Sequence, residues 1–214
     1  MVIQIALPRL NGLVPSVEST FRKLVEEQGE LSEAILIWRE QQGTPYARKA
    51  LHEVAVELID VAQTCISLTF VLESAVALDL QDLLDDHLEK LRRKNYLNEE
   101  IRREQVIFHV TEDGYRVMSL PRLVIPGVTL DSTVLNISMA VGRFAQWIGK
   151  FSGASGEKVE NSQHEIDLGC GLNLLHIAQC CFTMLYILQE TYLMDTDQLV
   201  ADHLLKLKQR GYIK

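Results

Sequence analysis

Apolar positions recur with helical spacing through most of the chain. In the first such stretch they fall three or four residues apart, which gathers them on one face of a helix. The stripe consists of Phe21, Leu24, Val25, Leu31, Ile35 and Trp38. Ser16 or Ser19 can cap the first turn of this helix. We expect it to end near Gln42, because Gly43 follows and Pro45 suits the first turn of a new helix.

A second and a third helix follow in the pattern. The second is predicted to run to about Ala77, and it carries no charged residue between Asp60 and Glu73. A helix without a polar face must be buried nearly all round. The third is predicted from Asp79 to about Asn95, with Lys and Arg in its last turns, where the helix dipole favours cations.

The same pattern recurs in the second half of the chain. The sequence Leu-Pro-Arg-Leu at 7–10 returns 113 positions later at 120–123, and Asp-His-Leu at 86–88 returns 116 positions later at 202–204. The change of offset places three extra residues of the second copy in the loop near Gly153. Two coherent offsets indicate an internal duplication.

Between the copies, two short runs rich in strand-forming residues flank the turn sequence Thr-Glu-Asp-Gly. The runs are Val106–Val110 and Tyr115–Leu120, and they predict a β-hairpin, the only good strand signal in the chain. The predicted fold is therefore all-α, with a helical repeat at 1–103, a hairpin linker at 104–119 and a second helical repeat at 120–214.

Composition narrows the class of protein. Hydrophobic residues make up 47% and charged residues 23% of 214 positions, which is ordinary for a globular protein. The net charge of −8 argues against nucleic acid as a partner. We expect no membrane association and a cytoplasmic location, because no long apolar run and no signal-peptide pattern was identified. The four cysteines show no metal-binding spacing and are predicted to be reduced core residues.

Two pairs of carboxylates stand on the first two predicted helices. Glu27 and Glu30 lie roughly 60° apart around the first helix, and Glu57 and Asp60 repeat this spacing on the second. The second pair is surrounded by apolar residues, so its helix has no wet face to solvate it. Antiparallel packing of the two helices would bring the four carboxylates together. For Glu26, beside them, an ordinary solvated helix surface is an alternative.

Such a cluster needs a counter-charge. Two like charges about 5 Å apart repel by roughly 3 kcal/mol at an effective dielectric of about 20. Several such pairs would match the whole stability of a small domain, about 5–15 kcal/mol. Oxygen ligands without His or Cys favour a hard cation, so we predict Mg²⁺, with Mn²⁺ as the alternative. A buried salt bridge is the competing interpretation. The cations nearest in sequence for it are Arg48, Lys49, Lys90 and Lys94.

The acidic pattern and its surroundings resemble a known family. Glu26-Glu27-x-x-Glu30 followed by Glu57-x-x-Asp60 is similar to the paired signature of the MazG-like, all-α NTP pyrophosphohydrolases, over about residues 16 to 97. The resemblance implies a nucleoside triphosphate substrate, Mg²⁺ and hydrolysis to a monophosphate and pyrophosphate, in nucleotide-pool house-cleaning. The family assembles as dimers of such helical units, so the two repeats would form a fused, pseudo-dimeric bundle. A further homodimer of the chain stays open.

The resemblance also implies residue roles. Glu27, Glu30, Glu57 and Asp60 would hold the metal, and Glu26 would orient or deprotonate the attacking water. The basic end of the third helix matches the part of the family that contacts phosphates: Lys90, Lys94 and Asn95. Trp38 could stack on the base, with core packing as the alternative.

The second copy lacks the acidic pattern. The positions of Glu26, Glu27 and Glu30 are taken by Met139, Ala140 and Arg143, and those of Glu57 and Asp60 by Asn173 and His176. We therefore expect one competent half and one scaffold half. Arg143 and His176 either touch the substrate across the interface or are an ordinary surface arginine and core histidine. A non-catalytic nucleotide-binding or assembly module derived from such enzymes is the alternative function.

Overall fold

The computed structural model of the chain describes residues 5–10, 16–76, 78–97, 108–110, 116–153 and 161–213. Two sets of three helices make up most of it. In chain order the elements are β1 (Ala6–Pro8), α1 (Val17–Glu40), α2 (Ala47–Val76), α3 (Leu80–Arg93), β2 (Phe108–Val110), β3 (Arg116–Ser119), α4 (Leu130–Ser152), α5 (Gln163–Tyr192) and α6 (Thr196–Gln209). The predicted mainly helical fold is confirmed.

The helices begin at the side chains that can cap them. Ser16 caps α1 and Thr129 caps α4, each in a reciprocal capping box with the serine three positions on. Asp79 and Asp195 accept hydrogen bonds from the first free amides of α3 and α6. These short polar side chains set the helix starts because they satisfy amides that have no partner inside the helix.

The strands form a three-stranded antiparallel sheet in the order β1-β3-β2. The pairing of β2 with β3 confirms the predicted hairpin, although its turn lies outside the described residues. The first strand was not predicted. Leu7 pairs with Met118, more than a hundred residues away, so three residues of local sequence carry no sign of the pairing.

Four long helices build the core. The apolar faces of α2 and α5 pack on each other at the centre, with α1 against α2 and α4 against α5 on either side. The short helices cross between the halves. Helix α3, from the first half, packs mainly on α5, and α6, from the second half, packs on α2.

Corresponding contacts recur in the two halves. The side-chain amide of Gln63 donates to the carbonyl oxygen of Pro8 at 2.9 Å, and that of Gln179 donates to Pro121 at 2.7 Å. The long connection between α4 and α5 holds the extra residues that change the sequence offset. The two halves therefore share this tether and the order of their three helices.

Helices α2 and α5 are also long and apolar enough, by length and composition alone, to cross a membrane. The expectation of no membrane association therefore stays a prediction. In the structure, 67% of the most apolar 18-residue stretch of α2 and 72% of that of α5 are buried inside the protein. That burial is what the central helices of a packed bundle show, because each is covered by its neighbours.

Candidate functional site

Three of the predicted carboxylates meet between α1 and α2. One carboxylate oxygen each from Glu27, Glu57 and Asp60 lies within 4.8 Å of the others. The antiparallel packing of the helices brings them together, because Glu57 and Asp60 stand one turn apart on α2 and Glu27 faces them from α1. Glu27 is only 6% exposed. We call Glu27, Glu57 and Asp60 the acidic cluster.

The acidic cluster is short of hydrogen bonds. The Oε2 atoms of Glu27 and Glu57 are buried and have no hydrogen-bond partner among the described residues. Burial, with the charges of Asp60 and Glu30 nearby, raises the pKa of Glu57 to about 7. Burial likewise raises the pKa of Glu27, against the opposing effect of Lys23. Buried carboxylate oxygens without donors are costly unless a proton or a cation reaches them.

Two basic side chains reach the cluster from the other half of the molecule. On α6, Lys206 Nζ lies 2.6 Å from Asp60 Oδ2, and His203 Nδ1 lies 3.1 Å from Asp60 Oδ1. Burial alone would raise the pKa of Asp60, but hydrogen bonds from His203 and Lys206 outweigh it and hold that pKa below its usual value. A third basic side chain, Lys23, lies on α1 itself. Its Nζ is 2.6 Å from Glu27 Oε1 and 2.9 Å from Glu26 Oε1.

These partners differ from the cations that the sequence suggested. None of Arg48, Lys49, Lys90 and Lys94 forms an ion pair with the acidic cluster in the described part of the chain. The signal that could have found Lys206 is the repeat itself, since Lys206 occupies the position of Lys90 at the 116-residue offset. The sequence-based prediction named only Lys90, the lysine of the first copy, at this position of the repeat.

The remaining predicted acids lie at the rim. Glu30 is exposed, and it stands close enough to Glu27 and Glu57 to raise the pKa of both. Glu26 is exposed and paired with Lys23. An additional oxygen ligand is thus available from Glu30, and Glu26 faces solvent beside the cluster.

Two neighbouring cavities lie beside the acidic cluster. The smaller, of about 110 Å³, lies between α2 and α6, and its walls include His52 and Leu199 as well as His203 and Lys206, which both contact Asp60. His52 and Leu199 also line a larger cavity of about 670 Å³, whose walls include Trp38. Trp38 is half-buried against the core and faces this cavity, so core packing and ligand contact are both open to it.

The other predicted phosphate contacts lie elsewhere. Lys90 and Lys94 line a third cavity, of about 450 Å³, together with Arg143 and His176 of the second half. Asn95 is exposed at the end of α3 with a φ of 56°, a left-handed conformation that asparagine tolerates. The structure therefore does not bring Lys90, Lys94 or Asn95 to the acidic cluster.

In the second half, the positions that correspond to Glu27, Glu57 and Asp60 carry Ala140, Asn173 and His176. Ala140 is fully buried, and Asn173 donates its amide to the carbonyl oxygen of Gly169 at 2.7 Å. Within the described ranges, the acidic cluster is the only group of three side chains placed to share a metal ion.

Comparison of the chain with protein-family models, with curated proteins and with solved structures finds no match.

Proposed function

We propose that the chain is a Mg²⁺-dependent nucleoside triphosphate pyrophosphohydrolase, with its active site at the acidic cluster. The observation that carries the proposal is the meeting of Glu27, Glu57 and Asp60 within 4.8 Å, with two buried oxygens that find no donor in the described part of the chain. The resemblance of the acidic pattern to the MazG-like enzymes supplies the reaction. The pseudo-dimeric repeat belongs to the same proposal.

The charges at the cluster favour a divalent cation. The acidic cluster and Glu30 together bring four carboxylates. Lys206 forms an ion pair with Asp60, and Lys23 forms ion pairs with Glu27 and with the neighbouring Glu26. Glu57 forms no ion pair among the described residues, and the charge of Lys206 only partly opposes the burial and repulsion that raise its pKa. All the available ligands are oxygens, which suits Mg²⁺ or Mn²⁺. Glu27, Glu57 and Asp60, with Glu30 at the rim, are the residues that would hold it.

The residues around the cluster have distinct roles in the proposed reaction. A bound Mg²⁺ would polarise the phosphoryl oxygens and lower the pKa of bound water. Glu26, exposed beside Glu27 and paired with Lys23, would accept a proton from the attacking water. Lys206, paired with Asp60, would offer a positive charge to the departing pyrophosphate.

The two cavities beside α6 would give the substrate a direction. With its phosphates at the acidic cluster, a nucleotide would extend past His52 toward Trp38. Arg48 and Lys49 line the same larger cavity. The second half is then more than a scaffold in this proposal, because α6 lines both cavities and supplies His203 and Lys206.

The test is release of pyrophosphate by the purified full chain from a panel of ribo- and deoxyribonucleoside triphosphates. We expect release with Mg²⁺ or Mn²⁺ and none with EDTA. Glu57→Gln and Asp60→Asn should lose activity, and Glu53→Gln, an exposed acid on the same helix, should retain it. No turnover of any nucleotide at saturating metal would contradict the proposal.

A second candidate function rests on the ion pairs. Asp60 is held by His203 and Lys206, and Glu27 by Lys23, as in a buried network that joins two halves. A non-catalytic nucleotide-binding or assembly module would retain that network. It would bind nucleotides with metal and leave them intact, so the same panel, read by binding and by turnover, separates the two candidates.

A further inference from the structure

The cavity that holds Lys90 and Lys94 is a separate, positively charged site. It lies between α3 of the first half and α4 and α5 of the second, and has a volume of about 450 Å³. Its cationic side chains come from both halves: Lys90 lies on α3, Lys94 caps the end of α3 and Arg143 lies on α4. We call this space the basic cavity.

The positive charge of the basic cavity is not compensated by the protein. None of Lys90, Lys94 and Arg143 forms an ion pair with a carboxylate of the described chain. No carboxylate lines the described walls of the cavity either. Burial, with the charges of Lys94 and Arg143, lowers the pKa of Lys90. The cations therefore repel one another in a chain whose net charge is −8.

The walls of the cavity combine two kinds of surface. Leu123, Ile125 and Val128 form an apolar wall, while Asn136 and Thr133 offer polar groups on α4. Burial and the nearby cations lower the pKa of His176 to about 4, so this side chain is neutral near pH 7 and can accept or donate a hydrogen bond. The volume falls in the range of small-molecule sites, roughly 300–1,000 Å³.

We propose that the basic cavity binds a phosphorylated small molecule with a flat ring body, of the nucleoside monophosphate class, without a metal ion. Three converging cations suit a phosphate dianion better than a single carboxylate, and the planar guanidinium of Arg143 can contact two phosphate oxygens at once. The apolar wall and the amide and hydroxyl groups suit a heterocyclic ring. A cavity of this size with apolar walls favours a small molecule over a nucleic-acid strand. This site does not depend on the acidic cluster being catalytic.

The experiment is calorimetric titration of the full chain in EDTA with four nucleoside monophosphates, ribose 5-phosphate, an unphosphorylated nucleoside and inorganic phosphate. We expect at least one monophosphate to bind more tightly than either the sugar phosphate or inorganic phosphate, and the nucleoside not to bind. Higher salt should weaken the binding, since it screens the cations.

Variants assign the binding to the cavity. Lys90→Met and Arg143→Met should each weaken binding by about tenfold or more, because each removes a charge that faces the phosphate. The matched control is Lys208→Met, an exposed lysine on α6 that lines none of the three cavities. Arg143→Lys keeps the charge and should lose less affinity than Arg143→Met.

Three results would overturn the proposal. One is no binding of any monophosphate at millimolar concentration by chain that melts cooperatively. Another is binding that Lys90→Met and Arg143→Met leave unchanged. The third is binding of inorganic phosphate as tight as that of every monophosphate, which would leave the ring body without a role. None of these results bears on pyrophosphate release at the acidic cluster.

Discussion

Glu57 is the residue at which folding and the proposed function conflict most directly. Its Oε2 is buried without a donor in the described residues, and burial with the charges of Asp60 and Glu30 raises its pKa to about 7. A buried carboxylate of this kind is tolerated where a bound cation supplies positive charge. Without the cation, the negative charges of the cluster repel one another.

We predict that Glu57→Gln raises the melting temperature of the metal-free chain and removes most of its stabilisation by Mg²⁺. The amide keeps the shape of the side chain and removes one negative charge. Melting curves in EDTA and in saturating Mg²⁺ give both values, with Glu53→Gln as the control. Equal stabilisation of the unmodified chain and of Glu57→Gln by Mg²⁺ would remove Glu57 from the metal site.

His87 makes the free energy of unfolding depend on pH. Burial, with His176 and Lys90 nearby, lowers the pKa of His87 from 6.5 to about 3. The unfolded chain therefore takes up a proton below pH 6.5 that the folded chain refuses. The stability that His87 contributes is fully present above pH 6.5 and is lost as the pH falls from there toward 3.

We expect the free energy of unfolding to fall by about 2 kcal/mol more in the unmodified chain than in His87→Gln between pH 7 and pH 5. Urea unfolding at both pH values measures the difference, in which the other titrating groups cancel. His164→Gln, which replaces an exposed histidine, should behave as the unmodified chain does. Identical pH profiles for the unmodified chain and His87→Gln would show that His87 is not buried in its neutral form.

At the scale of elements, the two short helices determine which basic side chains lie at the acidic cluster and which line the basic cavity. Helix α6 carries His203 and Lys206 to Asp60, and α3 carries Lys90 and Lys94 to the basic cavity. Each begins at an aspartate whose side chain accepts backbone hydrogen bonds from its first turn. The two caps therefore form a matched pair of probes.

We predict that Asp195→Ala and Asp79→Ala each lower the free energy of unfolding by about 1 kcal/mol, the usual cost of losing an N-cap. Their effects on function should differ. Asp195→Ala loosens α6 and should weaken Mg²⁺-dependent nucleotide binding, whereas Asp79→Ala loosens α3 and should leave that binding intact. Denaturant unfolding and calorimetry supply the two readouts. Equal effects on nucleotide binding would contradict the division of roles between α3 and α6.

At the scale of the whole molecule, the halves complete each other. The central faces of α2 and α5 pack together, and each half lends its short helix to the other. Residues 1–103 alone would expose the apolar face of α2 and leave Asp60 without His203 and Lys206. That loss combines exposed apolar surface with an unpaired buried charge, both of which destabilise a fold.

We expect residues 1–103, expressed alone, to dimerise or aggregate, and to lack the Mg²⁺-dependent binding of the full chain. Light scattering after size-exclusion chromatography measures the association, with the full chain as reference. A monodisperse, active monomer of residues 1–103 would show that the first half needs neither the cover of α5 nor the basic side chains of α6.

Local sequence determined much of this protein. The apolar stripe from Phe21 to Trp38, the caps at Ser16 and Asp79 and the breaker at Gly43 predict helix bounds that the structure confirms to within a few residues. The repeat of Leu7-Pro8 as Leu120-Pro121 predicts two similar halves, and corresponding glutamines tether both pairs. The spacing of Glu57 and Asp60 predicts their meeting with Glu27, because helical geometry fixes which side chains share a face.

Tertiary structure alone decided how the halves exchange their short helices. Nothing in the local pattern of α3 or α6 says which long helix each will cover, since an amphipathic face specifies only that it must be buried. That choice puts Lys206 rather than Lys90 beside Asp60, and sends Lys90 and Lys94 to a cavity shared with Arg143. The pairing of β1 with β3 likewise joins segments more than a hundred residues apart. Contacts between distant segments depend on which surfaces remain free once the long helices have packed, so sequence periodicity could not reveal them.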